Sequence, residues 1–224
     1  MRRASQRRVS YAVVTVLVLA TYAVTLAADG LIGSACAAVL QVAVVWVVLR
    51  WARAERRVLV PATAILAITT VTAVIAAVAA PTPGPAAAGL VVALFSLNMA
   101  LYLVAPIVIV HDVAISGRGD GGTVLAAVAA YLQIGLFFAF LYRLIDVVSA
   151  DPAFSAPVRM SDLLFFSFVT MSTTGYGDLV PIGWATETAT VLEIVVGQFY
   201  LIAAVGKIVT AWIPRPGTGP SAPP

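Results

Sequence analysis

The chain has 224 residues, 62% of them hydrophobic and only 10% charged, with a net charge of +3. A mean hydropathy of +1.04 excludes a water-soluble domain, which carries about a quarter charged residues. The positive excess does not make a nucleic-acid surface, because the basic residues lie between apolar segments or at their ends, and the single cysteine, Cys36, excludes an internal disulfide.

Apolar runs long enough to cross a bilayer, about 18 residues or more, recur along the chain. The first covers Val9 to Ala28 and the second Leu31 to Leu49. Cys36 lies in the second and is expected to be a small buried hydrophobe. A secretory leader would have an apolar core of about 7–15 residues. The first run is longer, which favours a retained helix. The third run is Pro61 to Ala80, with Pro61 at a helix start where its missing N–H costs nothing. Pro81-Thr82-Pro83-Gly84-Pro85 breaks the chain, and a fourth run covers Ala86 to Val110. Gly117 to Gly122 forms the next loop, and the fifth run extends from Thr123 to Val148. A polar linker with Asp151-Pro152 and Ala156-Pro157 follows. The last long run is Thr186 to Ile213, and the Pro/Gly-rich tail 214–224 has the composition of a disordered segment.

One segment breaks this rhythm. Met160 to Met171 is apolar and helical in pattern, with Ser161 or Asp162 as capping residues. Twelve residues reach only about 18 Å at 1.5 Å per residue. A hydrocarbon core is about 30 Å thick. The segment must therefore enter and return. The backbone after it sits at membrane depth without helical hydrogen bonds, which is tolerated only where protein buries it or water lines it.

Arg and Lys placement sets the orientation. Arg2, Arg3, Arg7 and Arg8 precede the first run, and Arg50, Arg53, Arg56 and Arg57 follow the second. Arg118 follows the fourth, and Lys207 and Arg215 lie at or after the end of the sixth. With six spans all of these fall on one side, the cytoplasm. The opposite side holds only Arg143 and Arg159 beside Asp29, Asp146, Asp151, Asp162, Asp178 and Glu187. The re-entrant segment therefore opens outward with an acidic mouth. Both termini are expected in the cytoplasm of a multi-pass protein of the plasma membrane.

The residues after the short helix are Ser172-Thr173-Thr174-Gly175-Tyr176-Gly177-Asp178. A dehydrated ion crossing a membrane needs a row of oxygens to replace its water shell, and rings of backbone carbonyls supply one. Carbonyls that point one way need alternating backbone conformations, some with positive φ, which Gly175 and Gly177 adopt at little cost. Thr173 can add a hydroxyl oxygen at the inner end. Tyr176 points away from the ion path and can brace against Phe165 and Phe166. Asp178 concentrates cations at the outer mouth, and the C-terminal dipole of the short helix favours a cation.

This stretch resembles the pore module of the potassium channel superfamily. The resemblance covers Thr123 to Ile213, and both Phe165 to Asp178 and Gly197-Gln198-Phe199-Tyr200-Leu201 look like the bacterial branch. It implies an all-α membrane protein with six transmembrane helices, a re-entrant pore helix and a selectivity filter, assembled as a homotetramer in the lipid bilayer. It also implies K+ as the permeant ligand, held by the backbone carbonyls of Thr173, Thr174, Gly175 and Tyr176. Gly177 completes the filter, Asp178 forms the outer mouth, and Phe165, Phe166 and Ser172 support the filter. No cofactor and no nucleic acid are implied. Gly197 falls where a gating hinge is often found. Thr174 departs from the usual Val or Ile, and Val169 stands where some relatives carry a Glu that controls filter inactivation.

The chain accordingly divides into a cytoplasmic N-terminus (1–8), a four-helix sensor-like membrane domain (9–117), a pore domain (118–213) and a tail (214–224). A voltage sensor needs several Arg or Lys in its fourth helix, since each charge moved couples about 2.3 kcal/mol per 100 mV. Ala86 to Val110 has none, so little intrinsic voltage dependence is expected. Glu193, inside the last run, must have a partner or face water, as a gating or filter-supporting contact or as a plain structural bond. Arg143 and Asp146 are placed to pair, and Gln41 and Asn98 to hydrogen-bond between helices. Two other functions fit parts of the pattern: a modulatory or less selective cation channel subunit, and an enzyme. Gly175-Tyr176-Gly177-Asp178 also matches the Gly-x-Gly-Asp of intramembrane aspartyl proteases. Such an enzyme needs a second Asp at depth, and Asp146 falls near the outer surface. A channel rather than an enzyme is the expectation.

Overall fold

The computed structural model describes residues 2–27, 31–51, 85–116 and 121–212, with single positions between 52 and 84. The described residues form α1 (Arg2–Ala27), α2 (Leu31–Trp51), α3 (Pro85–Ser116), α4 (Gly121–Val148), α5 (Met160–Met171) and α6 (Trp184–Trp212). No strand occurs among them, only a single antiparallel bridge between Phe154 and Pro181. The third apolar run lies largely outside the described residues, as do 81–84, 117–120 and the tail 213–224. Its described positions Ala64, Ala67, Ile68, Val71 and Ile75 are helical and exposed.

The short helix has the bounds its apolar pattern predicts. The long helices agree with their runs at most ends, but α1 begins seven residues before its run and α3 continues six residues past Val110 to Ser116. Helix propensity carries a chain past the end of its apolar stretch, because that stretch marks membrane contact rather than helical hydrogen bonding. Pro106 sits inside α3, where it removes one hydrogen bond and favours a kink.

Two of these helices, Gly122–Val148 and Trp184–Thr210, are long and apolar enough to cross a membrane; shorter apolar stretches lie at Tyr11–Ala27, Cys36–Val48 and Phe95–Val110. Only residues 117–120 separate α3 from α4, so the two form an antiparallel hairpin. Phe140 of α4 packs against Phe95 and Tyr102 of α3, with ring centroids 5.8 and 4.9 Å away. Helix α4 is the hub and touches α1, α3, α5 and α6, while α1 packs on α2 and α2 on α3. A reciprocal amide pair ties α2 to α4: Gln41 Nε2 donates to Gln133 Oε1 at 3.0 Å and Gln133 Nε2 to Gln41 Oε1 at 3.1 Å. Both amides are fully buried, so each satisfies a group that would otherwise be stranded in an apolar interior.

Cys36 is exposed, which corrects its expected burial. The helical period turns Ala37 and Ala38 into the core and leaves position 36 on the outer face of α2. In an apolar helix, hydrophobicity does not tell the two faces apart.

Candidate ion-binding site

The short helix α5 begins with a clamp at its N-terminus. Arg159 is the N-cap, and Asp162 accepts the Arg159 backbone N–H at 2.9 Å. Its other oxygen meets the Arg159 guanidinium at 3.3 Å. Asp162 therefore caps from the third helical position rather than from the cap itself. Its slight burial acts to raise its pKa, but the Arg159 N–H, guanidinium and charge outweigh this and hold the carboxyl below its usual range. Two backbone bonds, Ser155 N–H to Val180 O and Ile182 N–H to Ala153 O, both 2.9 Å, join the linker before α5 to the segment after the Gly-Tyr-Gly turn. Both ends of the loop are thereby held at one edge.

At its C-terminus α5 gives way to the loop through a fan of bonds. Ser172 N–H donates to Phe168 O, Thr173 N–H to Thr170 O and Thr174 N–H to Val169 O, at 3.0, 2.9 and 2.9 Å. Then every second residue turns left-handed: φ is +60° at Thr173, +56° at Gly175 and +76° at Gly177. That alternation is the backbone geometry that aligns successive carbonyls into a row. The glycines adopt it freely. Thr173 is β-branched, and the left-handed region costs it about 1–3 kcal/mol. Sequence reasoning assigned positive φ only to the glycines and missed Thr173, because a threonine carries no local signal for it.

Phe165 stacks on Tyr176 at 6.0 Å, with the rings 4° from parallel. Phe166 is turned away and packs edge-on against Tyr142 and Phe154, each 5.2 Å away. Of the two predicted braces, only Phe165 meets Tyr176 among the described contacts. Ser172 and Thr174 share a hydrogen bond between their hydroxyls at 2.8 Å. The Thr at 174 thus gains a polar neighbour beside the loop that Val or Ile could not use. Residues 172–178 are all exposed in the single chain.

Behind α5, Glu193 of α6 is fully buried. Its Oε2 accepts the Tyr142 hydroxyl of α4 at 2.6 Å, and its Oε1 lies 2.5 Å from Ser167 Oγ of α5. Ser167 Oγ also lies 2.8 Å from the Gly135 carbonyl of α4. One carboxyl group therefore joins three helices. Gly197, four residues on, is also buried, and a Cβ there would stand 2.5 Å from Met171 Cγ. A Cβ at Gly135 would likewise stand 2.6 Å from the Phe168 ring. Both glycines permit a close approach of helix backbones to α5. Sequence reasoning expected a partner for Glu193 but missed Tyr142, Ser167 and Gly135; the signal was the rarity of polar side chains in the neighbouring runs. Asp146 is engaged by Arg143 at 2.6 Å, as expected, and so is not free to pair with a second carboxylate.

Residues 127–213 match the family model described as ion channel. The chain is also 35% identical over 89 residues to the inward rectifier potassium channel Kirbac3.1 of Paramagnetospirillum magnetotacticum, a match that covers 40% of this chain and 29% of the relative. The chain is thus similar to ion channels over this segment, and to a potassium channel over 89 residues. The match takes in most of α4, all of α5, the loop 173–177 and α6, the elements whose sequence resembles the outer helix, pore helix, filter and inner helix of potassium channels. No solved structure matches the chain.

Proposed function

We propose that the chain is a subunit of a potassium-selective channel that conducts passively through a carbonyl filter at Thr173, Thr174, Gly175, Tyr176 and Gly177. The observation that carries this reading is the alternation of left-handed backbone at 173, 175 and 177, directly after a helix of twelve residues. Carbonyl rings of this kind replace a K+ hydration shell. Asp178 supplies the acidic outer mouth, and Phe165 and Ser172 support the filter.

One chain supplies one filter strand, so a homotetramer is needed to close the ring. Two features favour it. The filter residues are exposed, and only 17% of the apolar window of α6 is buried within the chain, against 56% for α4. Leu192, Phe199, Ile202, Val205 and Val209 stand exposed along α6 at helical spacing. This stripe suits a four-fold inner bundle and the neighbouring subunit. The third apolar run completes six spans, with both termini cytoplasmic and the filter facing outward across the plasma membrane.

Little intrinsic voltage dependence is proposed, because α3 carries no Lys or Arg along its whole length. The four residues between α3 and α4 also leave no length for a separate linker helix.

Flux of K+ against Na+ in proteoliposomes, with barium as blocker, tests the reading. Selective, barium-sensitive K+ flux is expected, and Gly177→Ala should abolish it, since a Cβ at φ +76° is strained whatever the space around it. Flux without discrimination would make this a general cation channel. Flux only with a second subunit would make it a modulatory chain. Selective flux that survives Gly177→Ala would put the pore elsewhere.

A further inference from the structure

The hydroxyl of Ser167 carries one proton but faces two oxygens, the Gly135 carbonyl at 2.8 Å and Glu193 Oε1 at 2.5 Å. The carbonyl can only accept. The rest of the cluster offers no spare donor. Tyr142 gives its proton to Glu193 Oε2 at 2.6 Å. Thr190, 3.3 Å from the Tyr142 hydroxyl, gives its own to the Thr186 carbonyl at 2.8 Å. If Glu193 were a carboxylate, Ser167 would have to turn to it, and the Ser167 and Gly135 oxygens would face each other without a proton between them. If Glu193 is a neutral acid, every group is satisfied. Glu193 donates through Oε1 to Ser167, Ser167 donates to Gly135, and Tyr142 donates to the carbonyl oxygen Oε2.

The surroundings agree with that proton count. Glu193 is fully buried at mid-helix in a span. The titratable groups that face it are Tyr142 and Tyr131 of α4; α5 presents the Ser167 hydroxyl, and no Lys, Arg or His is among its described hydrogen-bond partners. An ionised carboxylate held only by hydroxyls in a low-dielectric interior is costly, whereas a neutral carboxylic acid can serve as a donor.

We infer that Glu193 is a protonated positioning residue: its acid proton, passed through Ser167, fastens the pore helix to the inner and outer helices and so holds the filter in its conducting form. The inference rests on the channel reading only for its effect on flux. Loss of the Glu193 proton to bulk water would draw the Ser167 hydroxyl away from Gly135 and remove the hydrogen bond that ties α5 to the α4 backbone. The filter follows α5 directly, through the bonds from Ser172, Thr173 and Thr174, so its geometry would move with it.

The full chain in proteoliposomes tests this in two ways. Infrared spectroscopy of the wild type at neutral pH should show a carboxylic-acid C=O band that shifts in H2O/D2O exchange and is missing in Glu193→Gln. This readout does not depend on conduction, so it stands even if no flux is found and the channel reading fails. In flux assays Glu193→Gln, whose amide can donate to Ser167 and accept from Tyr142, should conduct within about twofold of wild type. Glu193→Ala, which strands both hydroxyls, should lose about tenfold or more. Wild-type flux should fall on strong alkalinisation while that of Glu193→Gln stays flat. Absence of the acid band, or Glu193→Gln failing as Glu193→Ala does while remaining folded by circular dichroism, would overturn the inference.

Discussion

Replacing Gly197 by Ala separates two roles for this position, a flexible hinge and a point of close packing. Ala in a helix interior is favoured over Gly by about 0.5–1 kcal/mol. A hinge that merely lost flexibility would therefore leave the protein more stable and change gating alone. The added Cβ, however, would stand 2.5 Å from Met171 Cγ and 3.5 Å from its sulfur. Met171 is itself fully buried, and Gln198 donates to its carbonyl at 3.4 Å, so its side chain would have to move within a packed interior. Overpacking of this kind costs about 1–3 kcal/mol. The two effects leave Gly197→Ala destabilised by about 1 kcal/mol. The strain falls on the last residue of α5, next to Ser172 and the loop 173–177. Thermal unfolding in detergent and K+ flux on the same preparation measure both effects, and Met171→Ala in the Gly197→Ala background should recover part of each, with a coupling of about 0.5–3 kcal/mol. A Gly197→Ala protein more stable than wild type, with no coupling to Met171, would refute the packing argument and favour the hinge.

Two further changes test the supports of the fold. Gln41→Leu or Gln133→Leu alone strands a buried amide and should cost about 1–2 kcal/mol in unfolding experiments, whereas the double replacement should be nearly neutral; equal costs for single and double would mean that the amides do not act as a pair. Asp162→Asn should lower the thermal midpoint at pH 7. Because the folded carboxyl is held below its usual range, its contribution is present above the unfolded pKa of about 3.9 and is lost as pH falls through the lower folded value. The difference from wild type should therefore vanish in strong acid; a difference that persists there would point to packing rather than to charge.

The Tyr22 ring of α1 meets the Phe168 ring of α5 edge-on, with centroids 5.4 Å apart. Phe168 in turn lies over Gly135. Helix α1 thus touches α5 through side chains.

The sequence by itself determined the all-helical class, the bounds of the short helix Met160–Met171 and the run 173–178 that follows it. These depend on local quantities: the length of an apolar stretch against bilayer thickness, and the backbone freedom of glycine. The absence of Lys and Arg from α3 is local in the same way. The tertiary structure decided which face of each apolar helix turns inward. Where nearly every residue is hydrophobic, no periodicity marks that face, and Cys36, Gly135 and Gly197 could not be assigned from their neighbours in sequence. It decided that Phe165, not Phe166, meets Tyr176, and that Thr173 turns left-handed where its N–H bonds back to Thr170 at the end of α5. It also decided the partners of Glu193. A carboxyl in a span must find a donor or acceptor, and only the packing of α4, α5 and α6 brings Tyr142 and Ser167, 51 and 26 residues away in sequence, within hydrogen-bond distance of it.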